Sequence, residues 1–231
     1  MRKDWLLCAG LAACSVEQAA DVGYVSVGIQ VGSNQSLIVS ANDDNVPRAL
    51  VPALDAVGRM AGIACTGTHI GDNMVLTAAH CLLAESLEDC RGTSIEWGSR
   101  LASCERVLFA ELNEDRDIAV FVADYAPPTQ LSIDACRMHG PGDRISLLSY
   151  PERGPLQWSG YCMLEALPGL GQSQIAHVCD TQPGSSGAPL IDADSGKVIA
   201  VHTGAATAWN QATLLAAAHA SFGTDCPCDE P

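Results

Sequence analysis

Short apolar segments recur along the chain from Ala53 onward, at intervals of about ten residues with Gly, Pro and Asn between them. Segments of this length, bounded by turn residues, are typical of β-strands rather than helices. They lie at 62–70, 74–77, 106–110, 118–123, 144–149, 160–164, 175–179, 188–191 and 197–202. The pattern therefore predicts an all-β chain built as a barrel or a sandwich.

The remaining segments break this pattern. Residues 211–220 are rich in Ala and Leu, which favours a helix, and Gly223 is a suitable stop. Pro127-Pro128 marks a natural boundary, so we expect one unit over about 53–127, a second over about 128–210 and a helix over about 211–222. Residues 15–52 carry no motif, and a tether, a propeptide or an extra strand all remain open for this N-terminal extension.

The first fourteen residues have the form of an export signal. A charged head at 1–5 precedes a short apolar run at 6–13, which is too short to span a bilayer. Leu11-Ala-Ala-Cys14 resembles the bacterial lipobox, in which the cysteine is acylated, although ordinary signal cleavage nearby is the alternative. We expect a chain that is secreted, periplasmic or anchored at the cell envelope, with a lipid on Cys14 as the only link to a membrane.

Composition limits the classes of partner. The 231 residues, 48% of them apolar, suffice for one compact domain or two small fused ones. Twelve basic residues against 27 acidic ones argue against a nucleic acid or an anionic membrane surface as partner. Eleven cysteines are consistent with an oxidising compartment. No His and Cys spacing supports a zinc site, and no other metal or cofactor is indicated. The sequence leaves the oligomeric state open.

The octet Gln182-Pro-Gly-Ser-Ser-Gly-Ala-Pro189 is the strongest candidate for chemistry. Its two glycines allow a tight backbone path on which the N–H groups of Gly184 and Ser186 converge beside the Ser186 hydroxyl. Converging donors of this kind stabilise an oxyanion, and a serine hydroxyl needs such donors and a base to act in acyl transfer. Small residues and prolines also form ordinary surface turns, so the octet alone does not decide between the two interpretations.

A base and an acid lie upstream of this octet. His80 follows an apolar strand in Met74-Val-Leu-Thr-Ala-Ala-His-Cys81, and Asp117 begins another in Asp117-Ile-Ala-Val-Phe-Val122. Asp115 is an alternative acid, but the apolar run after Asp117 would carry that carboxylate into the interior, where it is shielded from water. The order His80, Asp117, Ser186 is one in which an imidazole deprotonates the serine and a carboxylate fixes the tautomer of the imidazole.

Thr-Ala-Ala-His-Cys, Asp-Ile-Ala-Val and Gly-Ser-Ser-Gly-Ala-Pro resemble the three motifs of the chymotrypsin-fold serine proteases, over residues 65–205. The resemblance implies two six-stranded antiparallel β-barrels with a short C-terminal helix, and an endopeptidase that acts on polypeptides. It also implies a disulfide between Cys65 and Cys81 that holds the histidine loop. Cys90 with Cys104, and Cys162 with Cys179, are further suggested pairs.

Two interpretations of substrate preference remain open. In a trypsin-like register, an acid six residues before the nucleophile, here Asp180, lies at the base of the pocket and selects Lys or Arg. A histidine on the following strand, here His202, with Thr181 opposite, resembles the V8-type glutamyl endopeptidases, in which imidazole and hydroxyl donate to a substrate carboxylate. We favour cleavage after acidic residues, Glu foremost, because an imidazole donor suits a carboxylate.

One position departs from the trypsin pattern. Ser185 stands where trypsin-like zymogens carry the aspartate that receives the freed α-amino group on activation. A hydroxyl cannot form that ion pair, so the oxyanion-binding turn must be ordered by its own contacts or by another form of processing. A protease-like binding protein without catalysis is the alternative function, since a fold can be kept after its catalytic activity is lost. The three catalytic side chains together favour the enzyme.

Overall fold

The computed structural model describes residues 34–40, 46–82, 87–206, 209–223 and 226. Within them most of the regular structure is β-strand, with one short α-helix, α1 (Val51–Ala56), and several 3-10 turns. Thirteen strands lie in two groups, one on each side of the Pro127-Pro128 boundary, apart from the short strand β1 (Leu37–Ile38). The expected all-β architecture is confirmed.

The first group closes into a six-stranded antiparallel barrel. Its strands pair in the order β2-β3-β4-β7-β6-β5, and β5 returns to pair with β2. They are β2 (Val57–Ala61), β3 (Thr66–Gly71), β4 (Met74–Thr77), β5 (Ser94–Trp97), β6 (Arg100–Leu112) and β7 (Asp117–Ala123). All seven residues of β7 are buried, so both of its faces are covered. A strand buried on both faces must be apolar throughout, as the run after Asp117 is.

The second group forms another closed ring of six strands. The order β9-β10-β13-β12-β11-β8 closes because β8 also pairs with β9, and β1 adds to the outer edge of β9. The strands are β8 (Arg144–Ser149), β9 (Gln157–Glu165), β10 (Gln174–His177), β11 (Pro189–Asp192), β12 (Val198–Ala206) and β13 (Trp209–Leu214). The two predicted barrels are therefore present, and the N-terminal extension contributes an extra strand to the second.

The C-terminal helix starts later than predicted. Residues 211–214 belong to β13, which pairs with both β10 and β12, and a 3-10 helix runs from Leu215 to Phe222. Ladder hydrogen bonds and burial on two sides outweigh the helix propensity of this Ala-rich segment. Gly223 ends the helix in the left-handed conformation, at φ 64°, as predicted.

Among the residues that the structure describes, four disulfides join Cys65 to Cys81, Cys90 to Cys104, Cys162 to Cys179 and Cys136 to Cys226. The first three are the pairs that the sequence suggested, and the fourth links residues 90 positions apart. Cys14, with the remainder of the expected export signal, lies outside the described residues. No helix in the described part of the chain is long and apolar enough to cross a membrane.

Candidate active site

His80 lies on a short turn that the fold holds from both ends. The strand β4 ends at Thr77, and a 3-10 turn over Ala79–Cys81 follows, with Cys81 bonded to Cys65 just before β3. Closing a loop of this length by a disulfide stabilises the fold by about 3 kcal/mol in the chain-entropy model. The imidazole is thereby fixed at the edge of the first barrel, with 13% of its side chain exposed.

Asp117 binds this turn with both carboxylate oxygens. The backbone N–H of His80 donates to Oδ1 at 3.1 Å, and the Nδ1 atom lies 2.6 Å from Oδ2. A buried carboxylate accepts, so Nδ1 carries the proton and Nε2 is left as the basic nitrogen. The carboxylate that contacts His80 is that of the buried Asp117 and not that of Asp115, which is exposed.

The second barrel meets the first at the same place. The backbone N–H of Asp117 donates to Thr213 Oγ1 on β13 at 3.1 Å. The N–H of Thr66, at the start of β3, donates to the carbonyl of Ser186 at 2.7 Å, and the Thr66 hydroxyl donates to the carbonyl of Gly184 at 2.9 Å. Thr66 thus attaches the segment 182–189, here called the serine turn, to the barrel that carries His80.

Glycine is required at two positions of the serine turn. Gly187 has φ 83°, and a Cβ there would lie 2.1 Å from the Thr66 carbonyl and 3.2 Å from the backbone nitrogen of Ala78, two residues before His80. Gly184 has φ 104°, and its Cβ would lie 2.7 Å from the carbonyl oxygen of Tyr150. Only a residue without a side chain permits both the conformation and the approach. Ser186, between them, is fully buried.

Ser185 forms hydrogen bonds at the position where a zymogen aspartate would form an ion pair. Its hydroxyl lies 3.0 Å from the Ser149 hydroxyl and accepts the backbone N–H of Gln182 at 3.2 Å. The N–H of Ala188 donates to the Ser185 carbonyl, and the N–H of Ser185 donates back to Gln182. Of the two possibilities left by the sequence, these contacts favour a turn ordered by its own hydrogen bonds.

His202 lies on β12 and contacts the serine turn through its backbone. Its ring contacts that of a second histidine, His177. The N–H of Gly187 donates to the His202 carbonyl, and the N–H of His202 donates to the Ala188 carbonyl. The ring nitrogens His177 Nε2 and His202 Nδ1 are 3.0 Å apart, and both side chains are buried. His177, on β10, was not assigned a partner from the sequence, because only the strand order brings these two rings together.

Both of these imidazoles are held neutral. Burial, and after it the electrostatic effect of nearby His80, lowers the pKa of His202 to about 3, against a smaller opposite effect of the Gln211 backbone. Burial and then His202 lower the pKa of His177 well below its usual range. Since the buried Nδ1 of His177 has no partner in the described structure, its proton belongs on Nε2, which donates to His202. His202 then carries its own proton on Nε2.

The other two proposed pocket residues are already engaged. Thr181 Oγ1 donates to Asn210 Oδ1 at 2.6 Å, and Asn210 Nδ2 donates to the Cys179 carbonyl. Asp180 is buried, and one of its carboxylate oxygens accepts the backbone N–H of Gln35 at 2.8 Å. The N-terminal segment therefore contacts the residue next to Thr181.

One grouping of possible metal ligands occurs in the described part of the chain, namely Cys65, His80 and Cys81. The two sulfurs are joined to each other, and the imidazole is bonded to Asp117. A cysteine binds a metal as a thiolate, and both sulfurs here are oxidised, so this grouping does not form a metal centre.

Two β-barrels with a histidine and aspartate pair on one and a glycine-flanked serine on the other define a serine hydrolase of the chymotrypsin fold. The family profile of the trypsin-like peptidase domain matches residues 65–201, more than half of the chain. The chain belongs to the trypsin-like peptidase family and is a serine-type endopeptidase.

Solved structures of the same fold include proteases. A Glu endopeptidase, solved in complex with MPD, is 18% identical, with a TM-score of 0.64 over 84% of this chain and 97% of its own. The Rv3671c protease from M. tuberculosis in its active form is 20% identical, with a TM-score of 0.59 over 86% and 96%. At these identities the likeness establishes the fold alone. A search of curated proteins found no match.

Proposed function

We propose that the chain hydrolyses peptide bonds through a catalytic triad of Ser186, His80 and Asp117. His80 Nε2 takes the proton of Ser186 Oγ, which attacks the carbonyl carbon of the scissile bond. The N–H groups of Gly184 and Ser186 donate hydrogen bonds to the resulting oxyanion. The observation that carries this proposal is the two-oxygen contact of Asp117 with His80, which fixes the proton on Nδ1.

The rest of the cycle uses the same groups. His80 returns the proton to the leaving amine, and Ser186 remains as an ester of the acyl fragment. Water then attacks this ester while His80 removes its proton. His80 passes that proton to Ser186 Oγ as the bond between Oγ and the acyl carbon breaks, which releases the acid and restores the free hydroxyl. Each N–H that meets the oxyanion lowers the barrier by about 3 kcal/mol.

A serine-directed fluorophosphonate tests this assignment. Wild type should be labelled and Ser186→Ala should not, with Ser195→Ala as the control, because Ser195 lies in the turn after β11 and bonds Asp192 instead. Labelling of Ser186→Ala would show that the reactive serine is not Ser186. A folded wild type that neither reacts nor cleaves peptides would favour the non-catalytic binding protein.

For substrate preference we infer cleavage after acidic residues, Glu foremost. A neutral His202 with its proton on Nε2 offers an uncharged hydrogen-bond donor, for which a bound carboxylate would compete with the Gln211 backbone. A bound carboxylate would compete with Asn210 for the proton of Thr181. One of the structural neighbours described above is itself a Glu endopeptidase, which supports this preference.

The trypsin-like alternative depends on Asp180. That carboxylate already accepts the Gln35 N–H, which argues against a role as the counter-ion for a substrate Lys or Arg. A library of peptides that differ at the residue before the cut decides between the two. Cleavage after Glu is the expected result, and cleavage after Lys or Arg would return Asp180 to the pocket.

We further propose export, since four disulfides are typical of proteins from oxidising compartments. Acylation of Cys14 would anchor the protein at the cell envelope. The intact mass of the mature form reports the cleavage point and the lipid together: a mass that begins at Cys14 with added acyl chains supports the anchor, and an unmodified chain with a later start opposes it.

A further inference from the structure

A tight turn of the second barrel, Pro151–Arg153, contacts the serine turn, which carries the proposed oxyanion donors. The backbone N–H of Glu152 donates to the carbonyl of Pro183 at 2.5 Å. A Cβ on Gly184 would lie 2.8 Å from that same backbone nitrogen of Glu152, which leaves no space between the two turns. The position of the Pro183–Gly184 peptide therefore depends on the position of Glu152.

This contact also fixes the direction of one proposed oxyanion donor. In a trans peptide the C=O and the N–H point in opposite directions, and no cis peptide bond occurs among the described residues, which include Pro183 and Gly184. When Glu152 holds the Pro183 carbonyl on its side, the Gly184 N–H of the same peptide points away from Glu152. A rotation of this peptide would break the contact and remove the donor from the hole.

The turn that makes this contact does not adopt its conformation without help. Glu152 has φ 51° and ψ 26°, and Arg153 has φ 59°. Two consecutive residues with side chains in the left-handed region are disfavoured, because Cβ crowds the following carbonyl. Such a conformation persists only where the surroundings hold it.

Two arginines connect this turn to the first barrel. Arg153 Nη2 donates to the Gly62 carbonyl, after β2, at 2.6 Å. Arg59 Nη1, from β2, donates to the carbonyl of Arg153 at 2.9 Å, and its Nε donates to Glu96 on β5 at 3.0 Å. The two hydrogen bonds run in opposite directions between the same two segments, and together they hold both ends of the Arg153 residue.

We propose that Arg153 and Arg59 are positioning residues for the oxyanion hole. They keep the strained turn in place, the turn keeps the Pro183–Gly184 peptide in place, and the Gly184 N–H then points at the reacting carbonyl. This inference rests on the proposed mechanism, and it accounts for the order of the hole in a chain that has Ser185 at the position of the zymogen aspartate. Neither arginine needs to touch the substrate.

The test compares Arg153→Ala and Arg153→Lys with wild type in full-length protein. For Arg153→Ala we expect kcat about tenfold lower at unchanged KM, less than the loss from deleting a hole donor outright. The second-order rate of fluorophosphonate labelling should fall in parallel, since it also forms a charged tetrahedral species. Lys donates to a single carbonyl as Arg does here, so Arg153→Lys should recover most of the activity.

Arg106→Ala, an exposed arginine on β6, is the matched control and should leave kcat unchanged. Thermal unfolding of each variant shows that the fold is intact. A normal kcat for Arg153→Ala, beside an active wild type, would overturn the inference and leave the mechanism standing. A rise in KM without a fall in kcat, or a loss of activity that Lys does not restore, would overturn it as well. A wild type that is folded but inert contradicts both.

Discussion

The site contains two pairs of side chains, each with a histidine, and the partner of the histidine ring differs between them. In the first barrel His80 faces a carboxylate, Asp117, and 13% of its side chain is exposed. In the second barrel His202 faces another imidazole, His177, and both are buried. The residue type is the same, but the first ring can accept a proton during a reaction and the second ring stays neutral.

The difference shows how a partner decides the function of a histidine. In the proposed mechanism the carboxylate stabilises the imidazolium that forms when His80 takes a proton, as a general base requires. A buried imidazole beside a neutral imidazole has no such stabilisation, and a positive charge on His80 would repel a second one on His202. His202 is therefore suited to donate a hydrogen bond and not to exchange protons.

Replacement of the Asp117 carboxylate by an uncharged amide should have the largest effect on kcat. In Asp117→Asn we expect the side chain to keep its place and the imidazole to lose its preferred tautomer, with kcat lower by about 10⁴-fold, as in the general template for such triads. Steady-state kinetics on a peptide substrate measure this, with circular dichroism as the check on the fold. A loss below tenfold would contradict the role of Asp117.

A change in the second pair should alter selectivity more than rate. His202→Gln removes an imidazole donor, and a hydrogen bond to a charged group contributes about 1.5–3 kcal/mol, so the preference for Glu over Gln before the cut should fall about 10- to 100-fold. The ratio of kcat/KM for two peptides that differ only in this residue cancels any general loss of activity. An unchanged ratio would remove His202 from the pocket.

The His202→Gln variant also tests the second pair through the pH dependence of the free energy of unfolding. A histidine whose pKa is lowered on folding takes up its proton in the unfolded chain first, so the folded state loses stability as the pH falls from about 6.5 towards about 3. Between pH 7 and pH 5, His202 should account for a loss of about 2 kcal/mol in the free energy of unfolding.

Urea unfolding at these two pH values measures the loss directly. In His202→Gln the fall between pH 7 and pH 5 should be smaller than in wild type by that amount, whatever the effect of the substitution at pH 7. An equal fall in both proteins would mean that His202 is protonated in the folded state, and the contrast between the two pairs would then be wrong.

Much of the fold follows from local sequence. The strands over Met74–Thr77 and Arg144–Ser149 have the predicted bounds, because each is a run of apolar residues that ends in a turn. The strand over Ser94–Trp97 was not predicted, since it has only two buried apolar residues, Ile95 and Trp97, alternating with polar ones. Short strands of this kind depend on their neighbours in the barrel and not on their own pattern.

The site divides in the same way. His80 and Asp117 could be found from motifs because each stands at a fixed offset from an apolar strand. His177 could not, because its approach to His202 depends on the pairing of β10, β13 and β12. The pairing of Cys136 with Cys226 and the contact of Arg153 with Gly62 likewise join segments about 90 residues apart, and no local pattern encodes such contacts.

Capture of the acyl-enzyme tests the central claim most directly. An activated ester of a glutamyl peptide, mixed rapidly with the enzyme and quenched in acid, should give a burst of released alcohol and a protein heavier by one acyl group. Digestion should locate that group on Ser186, and Asp117→Asn should form it much more slowly. An acyl group on another residue, or turnover of a peptide with no adduct and no burst, would contradict nucleophilic catalysis by Ser186.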